Sequence, residues 1–367
     1  MKVVIAGGGT AGHVYPGLAL AEALNKKKKG VTISWFGTPE GIEAELVKEA
    51  GYDFIPINAK GMQNRFSYRS LKTILNLTKV YRESKKILKK VDPDLVIGMG
   101  GYVSLPVILA AGGRFETYIF EQNSIPGLSN KLLSSRVQGV MLSFDESKSY
   151  FKRARAMHTS GNPIRKEIGS ISRAEAAIQL DKDADRFTVL VFGGSGGART
   201  INNSIIEAYD RFRNFEGLQI IHIVGKVDYE SVRKTLEEVK KDSDKISYFL
   251  YRYIPDIWQA YALSDLAICR AGATTIAEIT AAGLPSILVP YPYATEDHQT
   301  KNAEIIERAG AAKLIKNDAL NPEMLFDEIV WFMENRDELK NMSKMSLEVA
   351  KPDAAEEAID HILSSIK

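Results

Sequence analysis

One cysteine, Cys269, stands in the 367 residues, so no disulfide can form within the chain, and the usage suits a reducing cytoplasm. No run of about 18 apolar residues occurs, which argues against a membrane-spanning helix. The apolar opening Val3-Val4-Ile5-Ala6 is too short for the core of a signal peptide and reads as a first strand. Low-complexity and collagen-like stretches are missing too, so a packed core is expected throughout. Histidine is scarce, at positions 13, 158, 222, 298 and 361 only.

What is present fits an ordinary globular protein, with 45% apolar and 26% charged residues. The length predicts two domains, because single cores stop growing at roughly 250–300 residues. The net charge of +2 conceals an asymmetry. Residues 60–90 hold ten Lys or Arg and one acid, Glu83, whereas the rest holds 38 basic and 45 acidic residues. A basic block on an otherwise acidic chain points to an anionic partner at one face.

The chain repeats itself weakly. Val3–Ala6 runs into Gly7-Gly8-Gly9-Thr10-Ala11-Gly12, and Thr188–Phe192 runs into Gly193-Gly194-Ser195-Gly196-Gly197. Likewise Asp94–Gly98 precedes a glycine loop, and Asp265–Cys269 precedes Arg270-Ala271-Gly272. Two halves that each open with a buried strand and a glycine turn predict duplicated, doubly wound α/β domains. The boundary is expected between Gly161 and Arg186, where Asn162-Pro163 and a charged run mark an exposed connection. Ile201, Ile205, Ala208 and Phe212 share a helical face, and Pro352 opens a last helix striped with Ile359, Ile362, Leu363 and Ile366. These spacings predict domains over 1–162 and 163–349, with the 350–367 helix packing back on the first.

Gly7, Gly9 and Gly12 satisfy G-x-G-x-x-G after a strand, but a dinucleotide site also needs an acid at the tip of the second strand. That strand, Val31–Phe36, ends in Gly37-Thr38-Pro39, and Glu40 comes only after the proline. The second loop, Gly193–Gly197, is the better anion cradle, with free amides, a hydroxyl and a following helix. It lacks the Lys-[Ser/Thr] ending of a P-loop.

Several motifs occur in order: Gly8–His13, Gly98-Met99-Gly100-Gly101-Tyr102, Glu121-Gln122-Asn123, Gly161–Arg165, Gly193-Gly194-Ser195, Arg270-Ala271-Gly272 through Glu278, Ala281–Pro285 and Asp297-His298-Gln299. Together, from Gly7 to about Ala303, they resemble the MurG family of N-acetylglucosamine transferases, which complete lipid II of peptidoglycan. The resemblance implies a GT-B α/β fold, two Rossmann-like doubly wound parallel-sheet domains with an interdomain cleft. It implies UDP-N-acetylglucosamine as donor and undecaprenyl-diphosphoryl-N-acetylmuramoyl-pentapeptide (lipid I) as acceptor. It implies transfer that inverts the anomeric centre in one displacement, without a cofactor. The chain departs from the family at Gly196, where glutamine is usual, and at Ala271, where serine is common.

The resemblance also assigns roles. His13 becomes the base that takes the acceptor hydroxyl proton, which imidazole suits at neutral pH; the residues alone leave an Asp or Glu base open. Thr10, Ala11, Gly12 and Asn123 would meet the sugars. Arg165 and Ser195 would hold the diphosphate, whose charge grows as UDP leaves. Gly272, Ala273 and Thr274 open the helix that presents Glu278 to the ribose hydroxyls. Ile254 would meet the uracil, and Gln299 the N-acetylglucosamine hydroxyls. Without the resemblance plainer roles stay open beside these: His13 as a cap or packing residue at a helix start, Asn123 as a turn residue, Arg165 as a solvated charge and Gln299 as an ordinary first-turn residue.

Three Asp-x-Asp spacings, Asp92/Asp94, Asp181/Asp183 and Asp242/Asp244, read as incidental, and no catalytic metal is expected. Leu71, Ile74, Leu77, Tyr81 and Leu88 share a helical face near Lys72, Lys79, Arg82, Lys85 and Lys86. Such a helix either packs on its domain or lies on an anionic leaflet. Gly100, Gly101 and Tyr102 complete the expected acceptor face. Nucleic acid is not expected, since no aromatic stacking motif accompanies the charge. The expected place is peripheral, on the cytoplasmic face of the cell membrane, in contact with other cell-wall synthesis proteins. A UDP-N-acetylglucosamine epimerase on the same fold is the alternative; it needs no lipid acceptor and no basic membrane face.

Overall fold

The computed structural model describes residues 1–59, 69–194 and 196–366, with the backbone alone over 69–75. It forms two compact units, Met1–Arg165 with Lys351–Lys367, and Lys166–Ala350.

The first unit holds seven strands: β1 (Lys2–Ala6), β2 (Thr32–Gly37), β3 (Asp53–Pro56), β4 (Leu95–Gly98), β5 (Glu116–Glu121), β6 (Gly139–Leu142) and β7 (Met157–Thr159). All pair in parallel, in the order β3-β2-β1-β4-β5-β6-β7. Parallel strands joined by helical crossovers are covered on both faces, which is why β1 and β4 read as unbroken apolar runs. Side chains alternate across the sheet. Val3 and Ile5 join a core with Leu20, Leu24 and Trp35, while Val4 and Ala6 join one with Val80, Leu88 and Val107. The helix Ala354–Ser365 packs on the helix Ala11–Lys27, burying Ile359 and Ile362 completely. Each buried side chain of that size contributes about 1.5–3 kcal/mol.

The second unit holds β8 (Phe187–Phe192), β9 (Leu218–Ile223), β10 (Ser247–Tyr251), β11 (Leu266–Cys269), β12 (Ser286–Leu288) and β13 (Ala312–Leu314). They are parallel, in the order β10-β9-β8-β11-β12-β13. The helices Arg199–Glu207 and Tyr209–Phe212 bring Ile201, Ile205, Ala208 and Phe212 into the core. In both units the strand order reverses beside the first strand, so a switch point opens at the carboxyl ends of β1 and β4, and another at those of β8 and β11.

The stretch 161–186, expected as an exposed connection, contains the helix Arg173–Leu180. A capping box explains it: the Ser172 hydroxyl accepts from the Glu175 amide, and the Glu175 carboxylate accepts from the Ser172 amide.

Candidate functional site

At the first switch point the chain leaves β1 through Gly7–Thr10 and enters the helix Ala11–Lys27, whose first turn carries Ala11, Gly12 and His13. His13 Nδ1 lies 3.2 Å from Gly8 O and 3.1 Å from the Thr10 hydroxyl. The Gly8 carbonyl only accepts, so where it bonds the ring Nδ1 carries the proton and Nε2 is the basic nitrogen; the Thr10 hydroxyl can accept from that Nδ1–H or donate to a bare Nδ1. The loop after β4 closes on the same ring. Gly100 has φ +95°, and a Cβ there would stand 3.1 Å from both Cδ2 and Nε2 of His13. Only glycine adopts this conformation cheaply and leaves room for the imidazole. Tyr102, one residue into the helix Gly101–Ala111, is 54% exposed.

Two acids organise these loops: Glu43, which the sequence did not single out, and Glu121, which stands in a motif but was given no role. Glu43, fully buried at the start of the helix Glu43–Glu49, accepts from Gly9 N at 3.0 Å and from the amide and hydroxyl of Thr38 at 2.8 and 2.7 Å. Glu121, at the end of β5, accepts from the amides of Asn123 and Gly127 at 3.0 Å and from Asn130 Nδ2 at 2.8 Å. Burial raises the Glu121 pKa, while those hydrogen bonds pull it back down. Its bonds hold Asn123 in the turn after β5. Beside Asn123, Gln122 donates to Met99 O at 2.9 Å, and its buried Oε1 has no hydrogen-bond partner among the described residues. Arg165 closes the first unit with its guanidinium over the Tyr15 ring, 4.5 Å from the centroid.

The second switch point gathers the other candidates. The loop Gly193–Gly197 follows β8; within it Ser195 lies outside the described residues. A Cβ at Gly197 would fall 2.4 Å from Val224 O, so the loop lies directly on the turn after β9. After β11, Gly272 leads into the helix Ala273–Ala281, which carries Thr274 and the buried Glu278. Tyr261 donates its hydroxyl to Glu278 Oε2 at 3.0 Å. Ile254 is buried in the turn after β10. Gln299, in the first turn of the helix His298–Arg308, accepts from Tyr291 N at 2.9 Å, which commits its oxygen and orients its amide group. The buried Ala271 has its carbonyl held by Asn302 Nδ2 at 3.3 Å.

The basic helix runs over Arg69–Val91. The side chains of Leu71, Lys72 and Ile74 lie outside the described residues. From Leu77 onward, Val80 and Leu88 are buried and Leu77 and Tyr81 half-buried, whereas Lys79, Arg82, Lys85 and Lys86 are exposed. Its described apolar stripe thus packs on the unit. The helix Gly101–Ala111, packed on the basic helix, exposes Leu109, and the helix Leu128–Leu133 beyond it exposes Leu128 and Leu132. Among the described residues no helix is long and apolar enough to cross a membrane.

The Asp-x-Asp pairs are tied into local structure. Asp94 accepts from Lys2 N at 2.7 Å, Asp183 from Asp185 N at 2.8 Å, and Asp244 from Tyr209 and Arg213 at 2.8 and 2.6 Å.

Two family models match the chain: the glycosyltransferase family 28 N-terminal domain over residues 3–142 and its C-terminal domain over residues 188–358. A relative in Halothermothrix orenii, the UDP-N-acetylglucosamine--N-acetylmuramyl-(pentapeptide) pyrophosphoryl-undecaprenol N-acetylglucosamine transferase, is 42% identical over all of both chains. The crystal structure of Acinetobacter baumannii MurG superposes with a TM-score of 0.75 at 28% identity, covering 99% of each chain. A UDP-GlcNAc 2-epimerase from Neisseria meningitidis, crystallised with UDP-GlcNAc, matches all of both chains with a TM-score of 0.69 but only 13% identity. That last likeness shows the fold alone.

Proposed function

The chain belongs to the MurG-type N-acetylglucosamine transferases of glycosyltransferase family 28, and from that premise we propose the reaction and the residues that perform it. The enzyme transfers N-acetylglucosamine from UDP-N-acetylglucosamine to lipid I, with inversion, and so forms lipid II for peptidoglycan. The observation that carries the residue assignment is His13, held at the first switch point with Nδ1 3.2 Å from Gly8 O, a contact that favours the tautomer whose basic nitrogen is Nε2.

The reaction needs three things of the protein: a base for the acceptor hydroxyl, a grip on the sugars and charge stabilisation at the departing diphosphate. His13 Nε2 takes the proton. The acceptor oxygen attacks the anomeric carbon, and the electron pair of the breaking bond leaves on UDP. Thr10, Ala11, Gly12 and Asn123 hold sugar, with Glu121 fixing the Asn123 turn. Amides of the Gly193–Gly197 loop, with Ser195 and Arg165, meet the diphosphate. Glu278 takes the ribose hydroxyls, Ile254 the uracil, and the oriented amide of Gln299 the N-acetylglucosamine hydroxyls. Gly272, Ala273 and Thr274 supply the helix start beside them.

In this reading the first unit receives the acceptor, through Gly100, Gly101 and Tyr102, and rests on the cytoplasmic leaflet, near other cell-wall synthesis proteins. The exposed Lys79, Arg82, Lys85 and Lys86 on one helix support that contact.

His13→Asn tests the assignment. Turnover is expected to fall about 10²–10⁴-fold while donor affinity stays within about threefold. Intact turnover would remove His13 from the role.

A further inference from the structure

The Gly8–Gly9 peptide is hydrogen-bonded at both ends. Gly9 N–H donates to Glu43 Oε2 at 3.0 Å, and Gly8 O lies 3.2 Å from His13 Nδ1. Both groups belong to one planar amide whose N–H and C=O point in opposite directions. A carboxylate, a peptide and an imidazole therefore stand in series. Glu43 is fully enclosed: Cβ atoms at Gly8, Gly41 and Gly37 would fall 2.1, 2.2 and 2.6 Å from its side chain. Glycines at all three places leave room for a carboxylate and nothing larger.

We propose that Glu43 is a positioning residue for the proton-accepting histidine, acting through the Gly8–Gly9 peptide; this rests on the reading of His13 as the base. The carboxylate draws on the Gly9 N–H and so makes Gly8 O a stronger acceptor, since linked hydrogen bonds polarise one another. Gly8 O holds the proton on Nδ1 and keeps Nε2 aimed as a base. When the acceptor hydroxyl proton arrives on Nε2, the ring becomes a cation. The buried charge of Glu43, relayed by the peptide, favours that cation. The same contact shows that the first glycine loop spends its Gly9 amide on an internal carboxylate, so that amide is not a phosphate ligand.

Other ionisable groups surround the relay. Arg165 lies on Tyr15 in the same helix as His13, Tyr102 follows the Gly100–Gly101 turn, and Glu121 is buried at the end of β5. Glu40, Glu45 and Lys48 are exposed around the Glu43 helix. Among the described residues, Glu43 is the acid bonded to the peptide that His13 uses.

Glu43→Gln keeps the size and removes the charge, but its NH2 must face Gly9 N or Thr38 N, so the His13 titration rather than activity alone separates relay from scaffold. Removing one charge about 8 Å away, the span of two hydrogen bonds and a peptide, shifts a pKa by about 0.4 to 1.5 units for effective dielectrics of 80 to 20. The His13 ring titration, followed by NMR, is expected to move down by that amount. The acid limb of kcat/KM should follow it, and kcat should fall about tenfold or more with donor affinity unchanged. An unchanged His13 pKa beside a lowered kcat would reduce Glu43 to a scaffold and overturn the proposal. The wild-type enzyme gives a second test that needs no Glu43 variant. The Gly9 amide proton shift is expected to follow the His13 titration and to lose that dependence in His13→Asn; a flat Gly9 shift overturns the relay. Turnover and acid limb both surviving His13→Asn would instead overturn the base reading, and the relay with it.

Discussion

Gly100 shows how much a single residue decides. Its φ of +95° and the 3.1 Å between a would-be Cβ and the His13 ring make glycine the fitting residue there. Gly100→Ala is expected to cost about 1–2 kcal/mol of stability and to lower turnover at least tenfold, read by thermal melting and transfer rate. A second residue carries a pH dependence. His222 is buried between the Tyr248 hydroxyl at 2.8 Å and Asn202 Oδ1 at 3.0 Å, and burial pushes its pKa down to about 3. The unfolded chain binds that proton near pH 6.5 and the folded one does not, so stability falls as pH drops below 6.5. Between pH 7.5 and 5.5 the wild type is expected to lose about 1.4 kcal/mol more than His222→Gln, measured by denaturant unfolding. His13 was legible because it directly follows a glycine loop. Glu43 was not. An acid was sought at the tip of β2, and the one that reaches the loop arrives one turn later, behind Thr38-Pro39-Glu40. Its only trace was the pair Gly37 and Gly41, which make room for it.

Elements were legible where periodicity and burial agree. Unbroken apolar strands followed by glycine turns mark the sheet cores, because a parallel strand is covered on both faces. The helix Arg173–Leu180 escaped because charge clusters and Asn162-Pro163 dominate its surroundings, while its Ser172/Glu175 capping box is a local signal. Half-burial of Tyr81 and full burial of Leu88 show that the stripe of the basic helix is first a packing face. The last helix matters in the same way. Ile362→Ala is expected to destabilise the first unit by about 2–4 kcal/mol through the cavity it leaves, with the second unit's melting unchanged.

At the scale of the whole molecule, the internal repeat read from two strand–glycine pairs corresponds to two parallel sheets with the same order reversal. The sequence carried less about the second switch point, because Tyr261 and Asn302 reach Glu278 and Ala271 from other elements, contacts that no linear motif encodes. The charge asymmetry leads to a membrane experiment. Reversing Lys79, Arg82, Lys85 and Lys86 to Glu is expected to weaken binding to anionic vesicles at least a hundredfold, since each cation contributes about 1 kcal/mol, and added salt should weaken the wild type. Binding indifferent to both would assign those charges to solvation alone. The central claim is transfer itself, and it is tested by incubating the purified enzyme with labelled UDP-N-acetylglucosamine and a short-chain lipid I analogue. The expected result is label in a disaccharide-lipid with one UDP released per transfer; donor epimerised or consumed without that product would contradict the account.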